Sequence, residues 1–148
     1  MKSQLLFSEN DREKIIEAIK TAESNTSGEI RVHIEAYCKE NVLDRAASIF
    51  AMLEMHKTEL RSGVLFYLAT EDRKFAILGD AGINSKVPSN FWANIKDIMA
   101  DKFKEGKFTD GLSEGIILAG KQLQVHFPKT ADNPNELSDE ISFGETRE

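Results

Sequence analysis

The chain of 148 residues lacks several features that mark whole classes of protein. Cys38 is its only cysteine, so no internal disulfide can form, and we expect this residue to be a small buried side chain at a strand end. No segment approaches the roughly 20 apolar residues of a membrane span, and the N-terminus has no apolar run long enough for a signal peptide. We therefore expect a soluble, cytoplasmic protein without a membrane span.

Positive charge is also scarce. The chain has 19 Lys and Arg against 25 Asp and Glu, which gives a formal net charge of −6. Proteins that bind nucleic acid neutralise its phosphates with a basic face. We predict that nucleic acid is not a partner.

Several catalytic motifs are missing from the sequence. It has neither the G-x-x-x-x-G-K-[ST] loop that cradles phosphates nor a G-x-S-x-G nucleophile elbow. His33, His56 and His126 stand singly and form no Cys/His pair, which argues against a closed zinc site. Six residues separate Cys38 from Arg45, one too many for the loop of a cysteine phosphatase.

The pattern that is present centres on one hairpin. Val64–Ala69 is an uninterrupted apolar run, too short for a helix, which predicts a strand buried on both faces. Polar turn formers at Thr70–Arg73 interrupt the run before Phe75–Leu78 resumes it. We predict an antiparallel hairpin that ends at Gly79–Gly82, where two glycines permit a tight turn around Asp80.

Upstream of the hairpin, the pattern predicts a helix, a strand and a second helix. Apolar residues at helical spacing after Ser8 predict a helix from about Glu9 to Glu23. Glu29–Tyr37 alternates strictly, which predicts a strand with one polar, half-exposed face. Asn41 can cap the next helix. Because a strand, a helix and a strand form a right-handed crossover, the Glu29–Tyr37 strand should be parallel to Val64–Ala69.

Two further helices follow the hairpin. Pro88 suits the first turn of the third helix, and Thr109 or Asp110 can cap a fourth that ends at Pro128. Three glycines interrupt the fourth helix: Gly111, Gly115 and Gly120. Each costs up to about 1 kcal/mol against alanine, so we expect close approach to another backbone. Residues 1–128 should form one three-layer α/β domain with a mixed sheet, a parallel pair plus the antiparallel hairpin.

Residues 129–148 differ in composition from the rest of the chain. They carry two basic and six acidic side chains, a net charge of −4, and few apolar groups. We predict an acidic, flexible tail. The alternative is that Leu137, Ile141 and Phe143 dock on a groove or a sheet edge.

The predicted topology brings polar groups to one edge of the sheet. The starts of the two parallel strands and the end of the Phe75–Leu78 strand lie together there. The residues at this edge are Thr26, Ser27, Gly28, Glu29, Ser62, Asp80 and Asn84. Hydroxyl, carboxylate and carbonyl oxygens suit calcium or magnesium. Glu29 and Asp80 are therefore candidate metal ligands, and Ser27 and Asn84 are candidate binding residues.

Arg31 and His33 share the polar strand face with Glu29, so an acid, a fixed cation and an imidazole form a row of candidate binding residues. The alternative is an ordinary surface on which Arg31 pairs with Glu29 or Glu35.

A runner-up site lies at the opposite edge. The hairpin turn with Asp72 should lie there, and so should the Gly106–Asp110 loop with Asp110 if the last two helices are antiparallel. Their simpler roles are turn formation and helix capping.

The segments FSENDREKI, TSGEIRVHIE, GVLFYLATEDRKFAILGDAGI and FKEGKFTDGLSEGI occur in that order between about Ser8 and Phe127. In this combination the chain resembles the TPM-domain family, which includes a plant thylakoid-lumen protein associated with photosystem II repair and many membrane-anchored bacterial proteins. The resemblance implies an α/β/α sandwich, a phosphatase label and, for some members, a bound divalent cation. The chain looks like a soluble, single-domain bacterial branch of that family.

Two functions follow. The first is a binding or assembly module that engages a protein partner through the glycine-bracketed edge, an apolar groove or the acidic tail. The alternative is a weak divalent-metal-dependent phosphatase acting on phosphomonoesters. In it Glu29 and Asp80 hold calcium or magnesium, Arg31 offsets phosphate charge and a metal-bound water attacks.

Overall fold

A mixed sheet organises the computed structural model, which describes residues 7–88, 90–129 and 139–144. Its strands in this part of the chain are β1 (Glu29–Glu35), β2 (Gly63–Ala69), β3 (Lys74–Gly79) and β4 (Ser142–Phe143), in the order β3-β2-β1-β4. The β1 and β2 strands are parallel, whereas β2 and β3 are antiparallel. Both predicted pairings are therefore confirmed.

The helices flank this sheet. They are α1 (Glu9–Glu23), α2 (Val42–Met52), α3 (Ala81–Asn84), α4 (Phe91–Lys104) and α5 (Phe108–His126), with a 3₁₀ turn at Met55–Lys57. Two predicted starts are confirmed. Ser8 and Asp11 form a reciprocal capping box before α1, and the Asn41 side chain accepts from the first backbone amides of α2.

Three boundaries differ from the sequence prediction. Strand β1 ends at Glu35 rather than Tyr37, because turn amides of the hairpin bond the carbonyls of Glu35 and Ala36. Helix α4 begins three residues beyond Pro88. Helix α5 begins at Phe108, before either predicted cap, because Gly106 turns the chain at a φ of 78°.

Two hydrophobic cores lie on opposite faces of the sheet. Helices α1, α4 and α5 cover the face that carries Ile30, Val32 and Ile34 of β1. Helix α2 covers the other face, where Cys38 and Tyr67 are buried. The arrangement is the expected three-layer α/β/α sandwich, and Cys38 is buried as expected, three residues beyond the end of β1.

The glycines of α5 permit close packing, though only one of the three meets another backbone. A Cβ on Gly120 would lie 2.6 Å from Cβ and 2.7 Å from Cα of Ala22 in α1. At Gly115 the nearest atom would be the Met99 sulfur, and at Gly111 it would be the Phe103 ring. The predicted backbone contact is thus confirmed at Gly120, and the other two glycines accommodate side chains.

The described end of the tail joins the sheet. The β4 strand pairs in parallel with β1 at His33 and Ile34, and Ile141 and Phe143 pack against the first core. This matches the docked alternative for these residues. Leu137 lies outside the described residues, as do the other positions in 130–138 and 145–148, so tail flexibility there stays a prediction. No described helix is long and apolar enough to cross a membrane.

Candidate functional site

The first candidate is the Asp80 edge, formed by Ser27, Glu29, Ser62, Asp80 and Asn84. Pairing between the strands brings them together, since the Glu29 amide donates to the Ser62 carbonyl at 3.1 Å. The Asp80 amide in turn donates to the Gly63 carbonyl at 2.9 Å. The fold therefore positions these groups at one end of the sheet.

Asp80 is already engaged at this edge. Arg61 donates to both carboxylate oxygens of Asp80 at 2.8 Å, and the Ala81 amide donates at 2.7 Å to start α3. Burial raises the pKa of Asp80, but these hydrogen bonds and the Arg61 charge outweigh it and hold the pKa below its usual range. A cation that used this carboxylate would have to replace Arg61.

The other polar groups of the edge also have structural partners. Asn84 donates to the Gly79 carbonyl at 2.8 Å and accepts from the Trp92 indole at 3.1 Å, which ties β3 to α4. Ser27 lies beside the Phe127 carbonyl, which accepts its backbone amide at 2.8 Å. These bonds give Asn84 and the backbone of Ser27 a structural role at this edge.

The polar face of β1 is buried, which corrects the expected half-exposed face. Glu29, His33 and Glu35 are only 4%, 1% and 3% exposed, and Arg31 is half-buried. Strict alternation could not indicate this, because tertiary packing brings α2 over this face and places Ser142 and Gly144 of the tail beside His33 and Glu35. A Cβ on Gly144 would lie 2.5 Å from Oε1 of Glu35.

The Arg31 side chain lies in a partly desolvated position. Burial lowers the pKa of Arg31 below its usual value. Its Nε is buried and has no hydrogen-bond partner in the described part of the protein. Glu35, one of its two expected partners, pairs instead with Arg45 of α2, at 2.9 Å from both Nε and a terminal guanidinium nitrogen.

Glu35 is the centre of a buried polar network that sequence reasoning missed. Besides Arg45, its carboxylate accepts from the Tyr67 hydroxyl and lies 3.3 Å from Nε2 of His33. The other ring nitrogen of His33 lies 2.9 Å from the Ser142 hydroxyl of β4. Burial raises the pKa of Glu35, but hydrogen bonds from Arg45, His33 and Tyr67 outweigh it and lower the pKa to about 2. The network fixes the tail to the sheet.

A second acidic group also joins the tail to the body of the protein. Glu23, at the end of α1, accepts from the Ile30 amide at 2.8 Å and hydrogen-bonds Asp139. Burial, that bond and the charges of Asp139 and Glu29 raise the pKa of Glu23 to about 9, although the Ile30 bond acts in the opposite direction. The raised pKa favours the protonated form of Glu23 in the folded protein.

The runner-up aspartates have separate partners at the hairpin end. Asp72 accepts from the Cys38 amide at 2.7 Å, and Asp110 lies 3.3 Å from Nζ of Lys14 at the surface. Within residues 7–88, 90–129 and 139–144, no group of three or more His, Cys, Asp or Glu is arranged to hold a metal ion.

The hairpin turn and the turn between α4 and α5 border a cavity of about 490 Å³, called the hairpin cavity here. It is lined by Leu68, Arg73, Phe75, Ala100, Phe103, Lys104, Gly106 and Phe108. Arg73 lies in the hairpin turn at a φ of 54°, and Gly106 makes the turn between α4 and α5. A shallower depression shares Gly106 and Phe108 and extends to Lys14.

Three aromatic rings form the apolar wall of the hairpin cavity. The Phe75 and Phe103 rings are nearly perpendicular with centroids 4.9 Å apart, and the Phe103 and Phe108 centroids are 5.5 Å apart. Each of the three residues is half-buried. Sequence reasoning placed the hairpin turn and the Gly106–Asp110 loop at one edge but did not identify these rings.

Comparisons with known proteins agree with the fold. The family model described as the TPM domain matches residues 1–122. The solution structure of the BA42 protein from the psychrophilic bacterium Bizionia argentinensis is 43% identical, with a TM-score of 0.88, over 93% of this chain and 95% of that one. A search among curated proteins found no match.

Two more distant structures show the fold alone. The N-terminal domain of a P. gingivalis protein has a TM-score of 0.65 at 20% identity, over 82% of this chain and 79% of its own. The N-terminal domain of cg2496 from Corynebacterium glutamicum has a TM-score of 0.64 at 11% identity, over 96% and 82%.

Proposed function

Because this chain belongs to the TPM-domain family, we propose that it uses the TPM fold as a non-catalytic binding module whose ligand site is the hairpin cavity. The observation that carries the proposal is the cavity itself, about 490 Å³ with three half-buried aromatic rings. Pockets for small molecules measure roughly 300–1,000 Å³ and are largely apolar with a few polar groups. The hairpin cavity has both properties.

The lining chemistry favours binding over catalysis. The residues that line the cavity are apolar, aromatic or cationic, and none of them is a carboxylate, imidazole, thiol or hydroxyl. Proton transfer and nucleophilic attack mostly use such groups; Lys104 is the one lining residue of a type that can serve as a base or nucleophile, and no acid, imidazole or hydroxyl lines the cavity beside it. Binding needs only the apolar surface and the cations, which the cavity supplies.

The proposal is tested with a neutral aromatic probe, 2-naphthalenemethanol. We expect its titration to shift the amide NMR signals of residues around Phe75, Phe103 and Phe108. Ala100→Trp would fill the cavity and should abolish these shifts, while Val125→Trp, at an exposed position of α5, should retain them. Absence of shifts in the wild-type protein, or equal shifts in Ala100→Trp, would contradict the proposal.

A second candidate is the weak divalent-metal-dependent phosphatase, with calcium or magnesium at Glu29 and Asp80. Its support is that both carboxyl groups belong to one edge of the sheet, together with the phosphatase label that the family resemblance implies. Oxygen ligands of this kind suit calcium and magnesium. The bidentate contact of Arg61 with Asp80 opposes it.

Melting curves test whether calcium or magnesium binds. A cation at about a hundred times its Kd would stabilise the fold by roughly 2.7 kcal/mol, which is a shift of a few degrees. Glu29→Gln and Asp80→Asn should each reduce that shift, and Asp72→Asn at the opposite edge should retain it. Identical melting temperatures in chelator and in millimolar calcium or magnesium would show that neither cation binds and would contradict this candidate function.

A further inference from the structure

The hairpin cavity is cationic in an acidic protein. The chain carries a net charge of −6, yet the charged residues that line the cavity are Arg73 and Lys104. Both are exposed, and neither has an ion-pair partner in the portion of the chain that the structure describes. Lys96 of α4 adds a third cation, with Nζ 5.9 Å from the Phe75 ring centroid. The cavity therefore favours an anionic group.

The start of α5 adds to this preference. Phe108 lines the cavity and is the first residue of this helix of 19 residues, and no side chain caps its N-terminus. The first backbone amides of a helix lack intrahelical partners and attract negative charge. Asp110 lies in the same turn, but Lys14 pairs with it at 3.3 Å.

The apolar wall favours an aromatic body. The rings of Phe75, Phe103 and Phe108 are already arranged edge to face and tilted, at centroid separations of 4.9 and 5.5 Å. Another aromatic ring can join such a cluster at the usual separations of about 4.5–7 Å.

We propose that the hairpin cavity binds a small aromatic molecule that carries one anionic group, a carboxylate or a phosphate. The ring packs against Phe75, Phe103 and Phe108, and the anionic group contacts Arg73 and Lys104. Arg73 can hold either anion through two parallel hydrogen bonds, and Lys104 acts as a point charge. This inference rests on the proposed binding function and names the ligand class of the same site.

Three probes with the same ring system test the ligand class: 2-naphthoate, 2-naphthyl phosphate and neutral 2-naphthalenemethanol. We expect both anions to bind about tenfold more tightly than the alcohol, because a charge-assisted hydrogen bond is worth about that factor. Arg73→Gln and Lys104→Gln should each weaken the anions severalfold and leave the alcohol unchanged. Arg73→Lys should restore part of the loss, and Lys121→Gln, an exposed lysine of α5, should change nothing.

The outcomes separate the inference from the proposed function. Equal binding of the three probes, unchanged in Arg73→Gln and Lys104→Gln, would overturn the anionic class and leave the binding module standing. No binding of any probe would overturn both. Comparing the two anions decides the head group, since tighter binding of 2-naphthyl phosphate assigns a phosphate and tighter binding of 2-naphthoate a carboxylate. Anion binding that persists in Ala100→Trp would place the anions elsewhere and overturn the inference.

Discussion

At the residue scale, the carboxylate of Glu35 joins three elements of the fold. It accepts from Arg45 of α2 and Tyr67 of β2 and lies beside His33 of its own strand. Removing one partner of a buried ion pair leaves the other charge without compensation, which costs far more than the pair contributes. Glu35 is therefore expected to be sensitive to changes in its neighbours.

Arg45→Gln tests this sensitivity. We expect the free energy of unfolding to fall by about 2 to 3 kcal/mol at pH 7, less than for a fully buried pair because the Arg45 side chain is 33% exposed. Urea unfolding measures the change. Lys57→Gln, which removes an exposed ion pair with Glu54, serves as the control and should have no measurable effect.

The same network makes the free energy of unfolding depend on pH. The pKa of Glu35 is lowered from 4.5 to about 2, so its stabilisation is present above pH 4.5 and is lost as the pH falls towards 2. The difference in free energy of unfolding between the wild-type protein and Arg45→Gln should therefore become smaller over that interval. If the difference in free energy of unfolding stays constant from pH 7 to pH 2, the role of the ionised Glu35 carboxylate is contradicted.

Glu23 has the opposite effect on how the stability of the protein depends on pH. Because its pKa is raised from 4.5 to about 9, the folded protein holds a proton that the unfolded chain releases. Its contribution is fully present below pH 4.5 and is lost as the pH rises through 9. Glu23→Gln mimics the protonated form, so urea midpoints of this variant should fall less between pH 5 and pH 9. Urea midpoints that change with pH in parallel for the wild-type protein and the variant would contradict this. Glu17→Gln, also on α1, is the control.

Single residues were predictable where the signal is local. The caps at Ser8 and Asn41 depend on neighbours within three residues, and the structure confirms both. The surroundings of His33 and Glu35 include Ser142 and Gly144, more than 100 positions away, as well as Arg45 of α2 and Tyr67 of β2. Alternation in β1 indicated two faces but contained no information about what covers the second one.

At the element scale, the contact between α1 and α5 depends on Gly120. Alanine there would gain about 1 kcal/mol of helix propensity, but its Cβ would lie 2.7 Å from Cα of Ala22. Backbone cannot move aside cheaply, and overpacking of this kind costs about 1–3 kcal/mol. We expect Gly120→Ala to destabilise the protein by about 1 to 2 kcal/mol in urea unfolding.

Gly115→Ala is the matched comparison. Its new Cβ would meet the sulfur of Met99, the flexible end of a side chain, so the loss should be smaller than at Gly120. A larger loss at Gly115 than at Gly120 would show that side-chain crowding against α4, not backbone approach to α1, limits the packing of α5.

The order of elements followed from sequence because each has its own period. The apolar run of β2, the alternation of β1 and the helical pattern of α2 between them predicted a parallel pair, and the resumed apolar run after the turn predicted a hairpin, both of which the register confirms. The short α3 helix after Asp80 was not predicted, since four residues are too few for periodicity. The β4 strand was not predicted either, because its two residues are too few to show alternation.

At the scale of the whole molecule, sequence reasoning predicted the α/β/α class and placed the hairpin turn and the Gly106–Asp110 loop at one edge, but it did not predict the hairpin cavity. Phe75, Phe103 and Phe108 belong to a strand and two helices, and each fits the apolar pattern of its own element. Their convergence follows from tertiary packing. The metal predicted for Glu29 and Asp80 stays a prediction, to be tested by the melting curves.

The central claim is that the hairpin cavity is the ligand site of this protein. Intermolecular NOEs in a complex with saturating 2-naphthoate test it most directly, because they report which side chains lie within a few ångströms of the probe. The account predicts NOEs from the rings of Phe75, Phe103 and Phe108 to the naphthyl protons. NOEs confined to the Asp80 edge, for example from Trp92, would contradict it, as would the absence of any contact at saturation.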